Sequence, residues 1–102
     1  TPQTAHANIG YYFMKNDKQH NYEVSEKHLR KALKINPNMK VARITMGELG
    51  IKTRRYLMAR AYMQRYHTVA PATAQSLWLQ IQAERALGDQ QYFIKMQYLI
   101  GL

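Results

Sequence analysis

The sequence predicts an all-α protein built as a stack of antiparallel helix pairs. Three observations carry that expectation. Apolar residues recur at helical spacing, as at Tyr56, Ala59, Tyr62, Met63 and Tyr66. No stretch shows the period-two alternation of a half-buried strand. Two prolines, Pro37 in HLRKALKINPN and Pro71 in TVAPAT, close helical stretches 34 residues apart. Proline does so because it lacks an N–H and disfavours helical geometry in the residue before it.

Setting Pro37 over Pro71 divides the chain into three units, residues 1–38, 39–72 and 73–102, the last cut short before its closing proline. It aligns Ile9-Gly10 with Met46-Gly47 and Gln80-Ile81. It also aligns Ser25 with Ala59 and Phe93, Leu29 with Met63 and Gln97, and Ala32 with Tyr66 and Ile100. The first unit needs three extra residues in its internal turn, KNDKQHNY.

Each unit reads as two helices. In the first, a helix over residues 7–15 carries Ile9, Tyr12 and Phe13; a polar turn at 16–21 follows, then a helix with Leu29, Ala32 and Leu33. In the second, Val41, Ile44, Met46 and Leu49 precede a bend at 50–53, and the tyrosine-rich helix returns. In the third, Leu77, Trp78, Ile81 and Leu87 come before Gly88-Asp89, expected as a helix stop and a new cap. Tyr92, Phe93, Met96, Leu99 and Ile100 would complete that pair. One pair cannot bury its apolar face alone, whereas stacked pairs share a continuous core and leave a curved surface.

Composition narrows the function classes. With 102 residues, 46% of them apolar, the chain can bury one core but not two. Fifteen Lys/Arg against six Asp/Glu give a net charge of +9, and no acidic residue falls between Leu49 and Ala83. Such a field attracts nucleic acid, anionic lipid or an acidic protein. The chain has no cysteine, so disulfides, thiol catalysis and thiolate metal sites are excluded within it. No apolar run approaches a membrane span. The opening TPQTAHANIG has neither a start Met nor a signal-like core and reads as a fragment or mature domain.

The aligned positions resemble the tetratricopeptide repeat. That signature sets a small residue at repeat position 8, Ala at 20, a large apolar residue at 24, Ala at 27 and Pro at 32. The sequence supplies Gly10, Ser25, Leu29, Ala32 and Pro37, then Gly47, Ala59, Met63, Tyr66 and Pro71. It departs from the signature at Gly50, Tyr66 and Ile81. Within that family, YLMARAYMQRY at Tyr56–Tyr66, PATAQSLWL at Pro71–Leu79 and ERALGDQ at Glu84–Gln90 resemble the type IV pilus biogenesis/stability lipoproteins, which are pilotin-like. That resemblance implies a scaffold on the periplasmic side of the bacterial outer membrane, acting in secretin assembly. It also implies a membrane anchor on a lipidated cysteine outside this chain.

No catalytic or metal-binding constellation is evident, and neither enzyme activity nor a cofactor is expected. His6, His20, His28 and His67 share no ligand spacing, and His28 is expected on an exposed helix side. Asp17, Glu23 and Glu26 sit in or beside a turn without a partner geometry for acid–base work. Gly47-Glu48-Leu49-Gly50 matches a nucleic-acid-clamping GxxG loop in letters alone, because its flanks read as helical. Arg54, Arg55, Arg60 and Arg65 are expected as a solvated basic face.

The concave surface is the expected recognition site. The repeat resemblance lines it with positions 2, 5, 9, 12 and 13 of each first helix. That places Tyr11, Met14 and Lys15, then Ile44, Glu48, Ile51 and Lys52, then Trp78, Gln82 and Arg85 along one trough. Trp78 is the expected anchor, since aromatic side chains bury much area at small entropic cost. Position 9 holds Tyr11, Glu48 and Gln82, so the clamp that grips chaperone C-termini is missing. The expected function is non-catalytic protein–protein scaffolding, with a secretin or other pilus component as partner. The alternatives are a generic repeat adaptor and, below it, a nucleic-acid-binding repeat protein.

Overall fold

The computed structural model describes residues 1–15 and 19–101. Among them are five helices and no strand: α1 (Pro2–Lys15), α2 (Gln19–Ile35), α3 (Lys40–Lys52), α4 (Tyr56–Val69) and α5 (Ala74–Leu99). None is long and apolar enough to cross a membrane.

The first helix starts earlier than apolar spacing alone indicates. Pro2 occupies the first helical position, where its missing N–H costs nothing, and Thr1 Oγ1 accepts from the Thr4 N–H at 3.3 Å. Residues 16–18, half of the expected polar turn, lie outside the described residues, as does the His20 side chain. Gln19–Asn21 already belong to α2.

Helices α1 and α2 form one antiparallel pair, and α3 and α4 form a second. In both, a glycine lets the helices approach closely. A Cβ on Gly10 would meet Leu29 Cγ at 2.6 Å, and one on Gly47 would meet Met63 Cε at 2.5 Å. These are the positions that the repeat alignment sets opposite each other. The helix pairing is thus consistent with helical repeats. Met14, Leu29, Met46 and Leu49 form the main core, and Met63, Tyr66 and Leu79 carry it toward α5.

The turn after α3 needs a left-handed residue, and Arg54 supplies it at φ 59°. Its neighbour Arg55 donates its N–H to Gly50 O at 2.7 Å, and the chain reverses into α4. Asn36-Pro37 ends the helix before it; the buried Arg43 guanidinium reaches back to Pro37 O.

The third unit differs from expectation. Instead of stopping at Gly88-Asp89, α5 runs unbroken for 26 residues. Thr73 and Ser76 start it with a reciprocal capping box, at 3.0 and 2.8 Å. An interior glycine costs a helix only about 1 kcal/mol, and Ala83, Ala86 and Leu87 before it are strong helix formers. Only Ser76, Leu79 and Ala83 of α5 are buried, against α3 and α4. Tyr92, Phe93, Met96, Leu99 and Ile100, expected to close a third pair, are exposed.

Candidate protein-binding groove

The first helices of the three units, α1, α3 and α5, lie side by side in one layer. Three hollows follow one another along it. The first, about 250 Å³, lies between Tyr11, Val41, Ile44, Glu48, Tyr66 and Gln75. The second, about 360 Å³, shares Glu48 and Gln75 with the first and adds Lys15, Ile51, Lys52, Trp78 and Gln82. The third shares Ile51 and Gln82 and reaches Arg85 and Asp89. Together they make a trough across all three helices.

Glu48 sits at its centre. The side chain is only 12% exposed; one oxygen accepts from Gln75 Nε2 at 2.5 Å and the other lies 3.5 Å from Lys15 Nζ. Through this carboxylate α3 is tied to α1 and α5 at once. Lys15 Nζ also stands 5.1 Å from the Tyr11 ring centroid, within cation–π range. Trp78, 53% exposed, and Tyr11, 45% exposed, present aromatic surface along the trough. Lys40 at one end and Arg85 at the other give its rim a positive bias.

The residues named from sequence line this trough with one exception. Met14 is fully buried in the core with Leu29, Met46 and Leu49, because α1 turns that position into the seam with α2 and α3. Val41 and Gln75 also line the trough, beyond the lining expected from sequence. Both stand at repeat position 2, so the register itself contained the signal. Lys40 and Tyr66 also contribute, Tyr66 from the second-helix layer, where a reading confined to first helices does not look.

The expected basic face does not form as one surface. On a helix of about 3.6 residues per turn, Arg60 and Arg65 of α4 point roughly 140° apart. Arg60 binds Glu84 through both Nε (2.6 Å) and Nη2 (2.8 Å), tying α4 to α5. That bond holds the Glu84 carboxyl below its usual range and raises Arg60. Arg55 pairs with Glu26 and ties α4 to α2. Arg54 forms the α3–α4 turn, and Arg65 is exposed.

Two basic side chains, one buried and one half-buried, stand where the sequence does not lead one to expect them. Arg43 is 5% exposed, and its Nε has no hydrogen-bond partner among the described residues. Burial first, and then Arg65, lowers its pKa, against a smaller opposing effect of Tyr62. His28 is not on an exposed side: its Nδ1 lies 2.9 Å from His6 Nδ1, with the rings stacked. Burial first, and then His6, Lys31 and Lys27, push its pKa down. Neither residue opens onto the trough. Among the described residues, no group of three or more His, Asp or Glu side chains is placed to hold a metal ion.

Compared with known proteins, the chain matches no family model, no curated protein and no solved structure.

Proposed function

We propose that the chain is a non-catalytic protein-binding scaffold of the tetratricopeptide type, its helix pairs stacked in a right-handed superhelix. The observation that carries this reading is the continuous trough over α1, α3 and α5, with Trp78 and Tyr11 as aromatic surface and lysines on its rim. Such a surface fits an extended or helical segment that presents an apolar anchor among acidic residues. Rim charges would raise the association rate more than the final affinity.

The test is a peptide array scanning acidic segments with one large apolar residue, followed by titration calorimetry on the tightest binder. Trp78→Ala is expected to weaken binding by about tenfold or more, as for an interface anchor, with helicity unchanged by circular dichroism. If Trp78→Ala and Tyr11→Ala leave every captured peptide bound as before, the trough is not the binding site.

The setting in type IV pilus secretin assembly, on the periplasmic side of the outer membrane, rests on the motifs at Tyr56–Tyr66, Pro71–Leu79 and Glu84–Gln90. Deleting the gene in a piliated host is expected to reduce heat-stable secretin multimers. Unchanged multimers would leave the adaptor reading without the pilus setting.

A further inference from the structure

The three hollows of the trough follow one another along α5. Gln75 lines the first, Gln75, Trp78 and Gln82 the second, and Gln82, Arg85 and Asp89 the third. The facing wall, α3, ends at Lys52, whereas α5 runs on past Asp89 to Leu99, about 15 Å further. At about 100° per residue, Trp78 and Met96 point the same way, and Arg85 and Tyr92 lie within about 40° of them. Leu99 and Phe93 flank Met96 at about 60° on either side. The side of α5 that lines the trough therefore continues beyond it as an exposed apolar face of Tyr92, Phe93, Met96 and Leu99.

That face is bounded. Gln90 and Gln97 on one flank, Gln91 and Lys95 on the other, separate it from Ile94 and Tyr98 on the far side. Among the described residues nothing of the chain covers it, since α5 packs on α3 and α4 and is buried only at Ser76, Leu79 and Ala83.

Charge divides the surface into two stretches. Lys15, Lys40, Lys52 and Arg85 line the hollows against Glu48 and Asp89, a positive balance. Past Asp89 the only charged side chain is Lys95, which lies off the face. A single guest complementary to both stretches is acidic over the trough and apolar over the end of α5. The form of its backbone follows as well. Beyond the Tyr92 hydroxyl, the apolar face offers a peptide backbone no hydrogen-bonding partner, and burying unpaired amides there is costly. A helix satisfies its own backbone and sets its side chains against such a face at three- and four-residue spacing.

Resting on the scaffold function proposed above, we propose that the guest of the trough is an amphipathic helix of a partner protein. Its length is about 24 residues, enough at 1.5 Å per residue to lie along α5 from Gln75 to Leu99. One half, acidic and with a single apolar anchor, fills the trough beside Trp78. The other half lays an apolar face on Tyr92, Phe93, Met96 and Leu99.

The probe is the tightest acidic peptide from the array, titrated as it stands and with about 12 residues added at either end, leucines at helical spacing among alanine and glutamine. One of the two extended peptides is expected to bind about tenfold tighter than its parent or better. The helicity of that mixture should exceed the sum of its parts, and an extension with its leucines scrambled should add nothing. Tyr92→Ser combined with Met96→Ser alters only exposed side chains, so the protein should keep its helicity while the gain vanishes. Trp78→Ala should weaken the parent and the extended peptide alike. If it weakens neither, or if no array peptide binds, the trough reading fails and takes this proposal with it. If Trp78→Ala weakens the parent yet neither extension gains affinity, the trough stands and the helical guest along α5 is overturned. A gain that survives the Tyr92/Met96 change, or that the scrambled extension matches, overturns it too. So does a dimer of the protein alone in light scattering, or attachment to anionic vesicles, that the Tyr92/Met96 change abolishes, because the face then belongs to another occupant.

Discussion

Helices α3 and α5 open equivalent units of the same register, yet their surroundings are opposite. In α3, Ala42, Met46, Gly47, Leu49 and even Arg43 are buried. In α5, twice as long, burial stops at Ala83. Ile81, which stands where Gly47 stands, is half exposed, whereas Gly47 is shut beneath Met63. Composition does not make this difference, since both helices are rich in apolar residues. The path of the chain beyond each helix makes it. After α3, Arg54 enters the left-handed region and Arg55 locks onto Gly50, so α4 returns along α3. After Leu87 the backbone continues its helical hydrogen bonds, and among the described residues no second helix returns. A turn of a few residues thus decides whether an apolar face becomes core or surface.

The sharpest way to break that contrast is to remove comparable side chains from each region. Leu49→Ala should cost about 2–5 kcal/mol in urea unfolding, because it empties a fully buried site. Ile94→Ala, at an exposed site, should stay within about 0.5 kcal/mol. Equal losses would mean that α5 is covered in solution by its own chain.

The glycines give a smaller test with opposite signs. A Cβ on Gly50 would lie 2.9 Å from Ala59 Cβ and 3.0 Å from its backbone N, which cannot move aside as a flexible tip could. Gly50→Ala should therefore cost about 1–3 kcal/mol by overpacking. A Cβ on Gly88 meets nothing within 4 Å. Gly88→Ala should stabilise α5 by about 0.5–1 kcal/mol, the ordinary helix gain of alanine over glycine. A loss at Gly88 would show that the position is a working bend.

The mildest effect belongs to the first helix pair, where histidines occupy the place that Arg43 and Tyr62 take in the second. The folded state lowers the His28 pKa below its ordinary 6.5, so it binds fewer protons there than the unfolded chain does. Stability from this site is whole above about pH 6.5 and declines as pH falls below it. Melting temperatures of the wild type and of His28→Gln should diverge less and less on acidification. Parallel pH profiles would place the acid sensitivity elsewhere.

Much of the architecture could be read from residue order. The helical spacing of Tyr56 to Tyr66 and the breaks at Pro37 and Pro71 have local causes, so local reading finds them. The trough is legible through the repeat resemblance, which names the lining positions; helix phase then keeps Ile44, Glu48 and Ile51 on one side. Gly88-Asp89 was misread because a glycine and a capping residue permit a turn without compelling one. The outcome depends on whether a partner surface rewards the return. Met14, His28 and the arginine–carboxylate ties were missed because each depends on a second helix meeting the first at a particular height. Spacing within one helix carries no information about that height.

Glu48 gives the trough a property beyond its shape. Its carboxylate already holds Lys15 and Gln75, so under the proposed reading an acidic guest has to win Lys15 from an internal rival. Lys15 is half exposed, so its pairing with either carboxylate is worth only about 1 kcal/mol or less. Negative charge by itself then discriminates poorly among visitors, and the fit of a bulky side chain beside Trp78 becomes the feature that tells one from another.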